Sequence, residues 1–251
     1  MEKFLIPLLL ATIAGLFTGV GSVLSLIFKE INKKVLALMM GFSAGVMIYV
    51  SFAEILSSAI AAIGFMKANI AFFTGMLIIA AIDFLIPHDY IEEFACRSKV
   101  RDNKVYLAGL YIALGLAIHN FPEGMAVFTG AMKSTHVGIS LAIAIALHNI
   151  PEGIAVAMPI CYATGSKRKG FFYSLLSGVA EPIGALFAML ILIPYLNDAV
   201  LSTLLAAVAG IMVFISFDEI LPITFRDSGQ HIPIIGVIAG MAVMALSLAL
   251  V

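Results

Sequence analysis

Charged residues are scarce in this sequence, and their scarcity excludes most classes of soluble protein. Lys, Arg, Asp and Glu make up 12% of the 251 residues, whereas 62% are hydrophobic and the mean hydropathy is +1.12. Soluble domains average about 25% charged residues. The composition therefore predicts an integral membrane protein, with a single polytopic domain over residues 1–251 that is surrounded by the lipid bilayer.

Cysteine and excess positive charge are also nearly absent. Cys96 and Cys161 form no C-x-x-C pair, and two isolated cysteines predict no disulfide framework. Cys161 lies in an apolar run and is expected to serve packing. The net charge of −1 offers no basic surface for nucleic acid, which excludes that partner.

Long hydrophobic runs, in contrast, fill the chain. A membrane-spanning helix needs about 20 mostly apolar residues. We predict eight such helices, joined by connections too short to hold an extramembrane domain, at 4–28, 35–57, 69–87, 105–130, 137–161, 170–194, 201–225 and 232–250. The first run is too long for the core of a signal peptide, so it is expected to remain as a helix. The predicted fold class is an all-α membrane protein.

The positions of lysine and arginine predict the orientation of these helices. Eleven of the fourteen lie in the loops after the first, third, fifth and seventh spans: Lys29, Lys33, Lys34, Arg97, Lys99, Arg101, Lys104, Lys167, Arg168, Lys169 and Arg226. The opposite side holds only Lys3, Lys67 and Lys133. We therefore expect those four loops in the cytoplasm and both termini outside.

Two pairs of similar segments lie on helices that run in opposite directions. GVMIYVSFAEIL at 45–56 matches GIMVFISFDEIL at 210–221 at seven of twelve positions, and HNFPEG at 119–124 returns as HNIPEG at 148–153. Repeats on antiparallel spans are typical of transporters that carry an inverted-topology repeat and a substrate site near the midplane. The sequence therefore predicts an inverted repeat.

Seven carboxylates fall inside the predicted spans, and no lysine or arginine falls well inside any of them. They are Glu54, Asp83, Glu123, Glu152, Glu181, Asp218 and Glu219. A charge at the bilayer centre costs at least about 2.5–3.5 kcal/mol on insertion scales. Carboxylates without basic partners must therefore be protonated and hydrogen-bonded between helices, or must bind a cation from outside.

The doubled motif offers a set of metal ligands. His119 and Glu123 share a helix face because they are four residues apart, and Asn120 lies three residues before the same glutamate. With the second motif and the Glu-Pro pair at 181–182, the candidate ligands are His119, Asn120, Glu123, His148, Asn149, Glu152 and Glu181. Imidazole with carboxylate and amide oxygen suits borderline divalent ions. Prolines at 122 and 151 also predict broken helical backbone beside the motifs.

These residues resemble the ZIP family of divalent metal transporters, and in particular its bacterial ZupT-type members. The resemblance covers nearly the whole chain and implies a 3+2+3 helix bundle that often dimerises, so a homodimer in the bacterial inner membrane is expected. It also implies carriage of metal into the cytoplasm by an elevator-like shift of one helix group against another. The chain lacks the long histidine-rich loop of many eukaryotic members, which argues against a metal-sensing loop.

The same resemblance implies two metal sites that share glutamates. One comprises His119, Glu123, His148 and Glu152, and the other comprises Asn120, Glu123, Asn149, Glu152 and Glu181. Zn(II), Fe(II), Mn(II), Co(II) and Cd(II) all fit these ligands as substrates, and no cofactor is expected.

The depth of the other carboxylates predicts stations on either side of this site. Glu54 lies near the outer end of the second span and is expected to be an entrance ligand, whereas Asp83, Asp218 or Glu219 would form exit stations near the inner side. The loop after the third span holds His88, Asp89, Glu92 and Glu93. An ordinary solvated connector is favoured there over a loop that receives metal.

Two other functions could use the same residues. An intramembrane zinc-dependent hydrolase could hold a catalytic zinc between His119, His148 and a glutamate, but the chain has no H-E-x-x-H motif and an inverted repeat has no catalytic purpose. A symporter of organic solutes would need a larger polar pocket and usually a basic anchor. We therefore predict a transporter and not an enzyme, and uptake of metal without a second solute distinguishes the readings.

Overall fold

The computed structural model describes residues 2–25, 27, 31–85, 100–192, 197–226 and 231–250. Within these residues, eight helices are long and apolar enough to cross a membrane, which confirms the predicted number. We number them α1 to α8 in chain order. The loop histidine and acidic residues at 88–93 lie outside the described residues, as does Cys96.

The first four helices are α1 (Glu2–Ser25), α2 (Lys33–Val50, continued by π-helical Ser51–Leu56 and α-helical Ser57–Ile63), α3 (Phe65–Leu85) and α4 (Asn103–Lys133). The last four are α5 (Thr135–Thr164), α6 (Lys167–Gly178, Ala180–Phe187 and π-helical Ala188–Leu192), α7 (Asp198–Ile215, π-helical Ser216–Ile220 and α-helical Leu221–Phe225) and α8 (His231–Leu250).

Short polar side chains begin several of these helices. The Asn32 side chain accepts hydrogen bonds from the backbone N–H groups of Lys34 and Val35, both at 3.0 Å. Asn197 accepts one from the N–H of Val200 at 2.9 Å. The first N–H groups of a helix have no partner within it, so these caps determine where α2 and α7 begin.

The second helix is longer than its predicted range of 35–57. It runs to Ile63 because Ser57 does not interrupt it: the Ser57 hydroxyl donates to the carbonyl of Ala53 at 2.7 Å and so stays within the helix. The helix ends at Gly64, whose φ of +86° is a conformation that other residues rarely adopt.

The eight helices divide into two groups of four. In the motif group, α1 packs mainly on α5, and α4 packs on α5 and α6. In the flanking group, α2 packs on α8 and α3 packs on α7. The groups touch chiefly where α2 meets α5 and where α4 meets α7. The motif group thus carries both HNxPEG motifs and Glu181.

Glycines bring the backbones within each group into contact. A Cβ on Gly21 would meet the carbonyl oxygen of Ile150, and one on Gly153 would meet the carbonyl oxygen of Thr18, so α1 and α5 touch reciprocally. The same reciprocal contact joins α4 to α6, α2 to α8 and α3 to α7, through Gly124 and Gly184, Gly45 and Gly240, and Gly75 and Gly210. Side chains would hold these helices farther apart.

The packing follows the inverted repeat. If α1–α3 correspond to α6–α8 and α4 corresponds to α5, then the α1–α5 contact corresponds to α6–α4, and α2–α8 corresponds to α7–α3. The π-helical segments Ser51–Leu56 and Ser216–Ile220 fall in the two similar sequences of α2 and α7, and carry Glu54 and Glu219 at matching places. The repeat seen in the sequence is therefore present in the structure.

Between the two groups, most of the contact is made by apolar side chains. The largest buried hydrophobic cluster includes Met47 of α2, Leu116 of α4, Met158 of α5 and Ile215 of α7. A Cβ on Gly115 of α4 would meet only the side chain of Ile215, without backbone contact. The ends of methionine and isoleucine side chains can change rotamer, whereas backbone atoms cannot move aside in this way. The two groups can therefore shift against each other more easily than the helices within one group.

Candidate metal centre

The candidate ligands converge at the centre of the motif group. Helices α4 and α5 each contribute a histidine, an asparagine and a glutamate, and α6 contributes one glutamate. All seven side chains are buried: His119, Asn120, Glu123, His148, Asn149, Glu152 and Glu181. Fully buried glutamates without lysine or arginine partners are costly, so their concentration in one place indicates a functional site.

The histidines and glutamates pair between the two helices. His119 Nε2 lies 2.9 Å from Glu152 Oε1, and His148 Nε2 lies 3.3 and 3.4 Å from the two carboxylate oxygens of Glu123. The four-residue spacing within each motif predicts that each histidine lies beside the glutamate of its own motif. The structure instead joins each to the other motif, because both sets of side chains point into the space between α4 and α5.

The asparagines are held by their amide nitrogens. Asn120 Nδ2 donates to the carbonyl of Ser177 at 3.2 Å. Asn149 Nδ2 donates to the carbonyl of Ala14 at 2.9 Å and to the Glu181 carboxylate. Because the nitrogens are used by the neighbouring helices, the amide oxygens remain as acceptors within the cluster.

Several buried acceptors of the cluster have no hydrogen-bond partner among the described residues. They include His119 Nδ1, Asn120 Oδ1, His148 Nδ1, Asn149 Oδ1, Glu152 Oε2 and Glu181 Oε2. More than nine in ten buried polar atoms in proteins are satisfied, so roughly none would be expected in a cluster of this size. Nitrogen and oxygen acceptors of these kinds are the ligands of first-row divalent cations.

The histidine and glutamate side chains of the cluster are hydrogen-bonded to one another. In the part of the chain that the structure describes, no three His, Cys, Asp or Glu side chains are placed to hold a metal ion together. The imidazoles and carboxylates bind one another instead. A divalent cation bound here would therefore replace the two histidine–glutamate contacts. In each contact, the imidazole nitrogen and the carboxylate oxygen already lie within about 3.4 Å of each other.

Each motif ends in glycine for a steric reason. A Cβ on Gly124 would meet the carbonyl oxygen of Glu181, and one on Gly153 would meet that of Thr18. These glycines let α6 and α1 approach the motif helices closely enough for their carbonyls and for Glu181 to reach the asparagines.

The prolines do not break the motif helices. Both α4 and α5 run without interruption through Pro122 and Pro151, contrary to the expectation of broken backbone. The interruption lies instead at Val179 in α6, two residues before the third glutamate. On α5, the carbonyl of Pro151 accepts a hydrogen bond from the Ser43 hydroxyl at 2.7 Å, which links the motif to α2.

A cavity of about 130 Å³ reaches the cluster from the predicted outer side. It is lined by Glu54 together with Glu123 and His148, so the structure brings Glu54 to the candidate centre. Ser58 and Ser202 also line it. Nothing in the sequence distinguished these serines, or Ser43, since hydroxyl side chains are common in transmembrane helices.

A smaller cavity, of about 30 Å³, lies towards the predicted inner side. Asp83 and Glu219 line it with Tyr111, and none of its described lining residues belongs to the buried cluster. Asp218 is exposed and lies outside the described lining of both cavities. The three predicted exit residues are thus close enough to interact electrostatically, but only Asp83 and Glu219 line the cavity.

Comparison with known proteins gives consistent results over the whole chain. A family model described as ZIP Zinc transporter matches residues 88–248. A zinc transporter ZupT from Clostridium perfringens is 46% identical, with 100% of this chain and 97% of that protein covered. Those from Oceanobacillus iheyensis and Chlorobium phaeovibrioides are 49% and 50% identical, covering 100% and 97% of this chain and 99% and 97% of their own.

Proposed function

Because the chain belongs to the ZIP family of zinc transporters, we propose that it carries Zn(II) and related divalent transition-metal ions through the buried cluster of α4, α5 and α6. As a member of this family it is an integral membrane transporter of metal cations and not an enzyme, and the metal ion is its substrate. The proposed ligands are His119, Asn120, Glu123, His148, Asn149, Glu152 and Glu181.

The observation that carries this proposal is the crossed pairing of His119 with Glu152 and of His148 with Glu123 in a fully buried place. Three ionised glutamates, including Glu181, would carry a charge of −3. One divalent ion reduces this to −1, and two bring it to +1. The cluster can therefore balance one or two ions, which supports two overlapping sites that share Glu123 and Glu152.

The relatives' names favour zinc as the substrate. The ligand set also accommodates Fe(II), Mn(II), Co(II) and Cd(II), since imidazole and carboxylate together suit borderline ions. We propose zinc and iron as the first ions to test.

The path would begin at Glu54 in the outer cavity and end at Asp83 and Glu219 in the inner cavity, with Asp218 beside them. Close backbone contacts within each helix group and side-chain contacts between the groups support an elevator-like shift of the motif group. The direction into the cytoplasm rests on the charge-based orientation. Location in the bacterial inner membrane and assembly as a homodimer stay predictions.

Uptake into proteoliposomes tests this function. We expect the native chain to accumulate Zn(II) saturably and Glu152→Ala to abolish accumulation, because the change removes a ligand shared by both proposed sites. The comparison requires that the native chain and Glu152→Ala are inserted and folded in equal amounts. Asp198→Asn, which removes a carboxylate at the exposed start of α7, is the control and should retain uptake.

Absence of Zn(II) and Fe(II) uptake by folded native protein would overturn the proposal. Equal uptake by the native chain and Glu152→Ala would keep the transporter but remove the buried cluster from its path.

A further inference from the structure

An ion pair joins the two helix groups at the end of the molecule opposite Glu54. Arg226 Nη1 lies 3.2 Å from Asp102 Oδ1. Asp102 immediately precedes α4 of the motif group, and Arg226 immediately follows α7 of the flanking group. The two residues are 124 positions apart in the sequence, so only the packing of the groups brings them together.

Little empty space lies directly against this pair. A cavity of only about 20 Å³ lies there, with Leu36, Val105 and Ile223 among its lining residues. The cavity at the Glu54 end is about 130 Å³ and reaches the buried cluster. A cavity of about 500 Å³ also lies at this end, between Lys33 of α2 and Tyr162 of α5, but none of its described lining residues belongs to the buried cluster. The cavities at the ion-pair end thus stop short of the cluster, whereas the cavity at the Glu54 end reaches it.

The pair is attached directly to a motif helix. Asp102 Oδ1 also accepts a hydrogen bond from the N–H of Val105 at 3.2 Å and so caps α4, the helix that carries HNFPEG. A shift of α4 along α7 would separate the carboxylate from the guanidinium. Opening at this end by such a shift would therefore break the ion pair.

The pair is suited to reversible contact. The side chains of Arg226 and Asp102 are 41% and 21% exposed. Ion pairs at such exposure contribute little net stability, since water solvates the separated charges. Such a pair favours the closed arrangement without preventing its opening.

We propose that the Asp102–Arg226 ion pair is the cytoplasmic gate of the transport cycle. It is formed while the buried cluster is open to the outer cavity, and it is broken when the motif group shifts to release the metal ion. The gate rests on the proposed function, because it requires movement of the motif group against the flanking group.

A cross-link across the gate gives the first test. In the full chain with both native cysteines replaced by serine, Asp102→Cys and Arg226→Cys are combined and Zn(II) uptake is measured in proteoliposomes. Joining the two thiols with a short bis-methanethiosulfonate cross-linker, which spans the gap left by the arginine side chain, should abolish uptake, and reduction should restore it. Each single-cysteine variant should keep its uptake after the same treatment. Undiminished uptake by fully cross-linked protein would overturn the gate. Absence of uptake in the cysteine-free parent would count against the proposed function instead.

A second test does not depend on uptake. Phe214 lines the inner cavity, so Phe214→Cys reports opening through its labelling by a membrane-impermeant maleimide from the cytoplasmic side. Arg226→Glu should speed labelling by about fivefold, as expected for loss of a partly exposed ion pair. Arg226→Lys, which keeps the positive charge and leaves the α4 cap intact, should label near the parent rate. Equal rates in Arg226→Glu and Arg226→Lys would contradict the proposal.

Discussion

Equivalent side chains of the two motifs have different partners in the buried cluster, although the two motifs have nearly the same sequence. Asn120 donates to a backbone carbonyl of α6, whereas Asn149 donates both to a carbonyl of α1 and to Glu181. The asparagine side chain of the second motif is therefore hydrogen-bonded to the Glu181 carboxylate, whereas that of the first motif is bonded to backbone. Equivalent residues in an inverted repeat need not have equivalent roles.

A change at Asn149 should alter selectivity more than capacity. In the proposed function, Asn149→Ala removes one oxygen ligand from the second site and leaves both histidine–glutamate pairs in place. We expect Zn(II) uptake to persist and the ratio of Fe(II) to Zn(II) uptake to fall several-fold, because Zn(II) relies more on imidazole than Fe(II) does. Competition between the two ions in proteoliposomes measures this ratio.

The matched control is Asn69→Ala. Asn69 lies on α3 and its amide donates to the carbonyl of Phe65 at 2.8 Å, far from the cluster. The control should leave the ratio unchanged. An unchanged ratio in Asn149→Ala as well would remove this asparagine from the second site.

Reciprocal glycine contacts hold pairs of helices together. The glycines of one helix differ in whether their surroundings can accommodate an added Cβ. On α1, a Cβ at Gly21 would meet the backbone oxygen of Ile150, whereas a Cβ at Gly19 would lie 3.2 Å from the tip of the Leu175 side chain. Backbone cannot move away without displacing α5, but a leucine tip can rotate. The two glycines, one half-turn apart, therefore allow a comparison within one helix.

Gly21→Ala should destabilise the protein, whereas Gly19→Ala should have little effect. Overpacking against backbone costs about 1–3 kcal/mol, and alanine regains up to about 1 kcal/mol of helix propensity relative to glycine. We therefore expect a clear fall in the denaturation temperature in detergent for Gly21→Ala alone. Equal temperatures for the two variants would show that α1 can move away from α5 at little cost.

The whole molecule consists of two four-helix groups whose mutual contact is mainly apolar and side-chain-mediated. The exceptions described above are the Ser43 hydroxyl on the Pro151 carbonyl and the Asp102–Arg226 ion pair. The eight candidate membrane helices among the described residues predict that both termini lie on one side of the membrane. The lysines and arginines predict that this side is outside. The positions of the outer cavity, the inner cavity and the proposed gate in the cell all depend on that orientation.

Labelling from one side of the membrane tests the orientation. Lys67 and Lys104 are both exposed and lie at opposite ends of the bundle, at the starts of α3 and α4. In a cysteine-free background, an impermeant maleimide added to intact cells should label Lys67→Cys and spare Lys104→Cys. Lysis of the cells should make both reactive. The reverse pattern would invert the predicted direction of transport.

Much of the architecture could be predicted because it depends on local composition. The eight helices follow from long apolar runs, and the candidate ligands follow from the repeated letters. The boundaries were less predictable: α2 continues to Ile63 because Ser57 bonds within the helix, and Gly64 ends it by its backbone conformation. The prolines predicted interruptions that occur instead at Val179.

The sequence by itself determined the membrane class, the number of helices, the inverted repeat and the chemistry of the buried side chains, since these are properties of run length and regular spacing. Only the tertiary structure decided that His119 meets Glu152, that His148 meets Glu123 and that Asp102 meets Arg226, at separations of 33, 25 and 124 residues. Contacts at such separations depend on how closely whole helices approach. Glycine-to-carbonyl contacts hold α5 to α1 and α4 to α6, and side-chain packing positions α4 against α5 and α7. No local pattern of residues specifies either kind of contact.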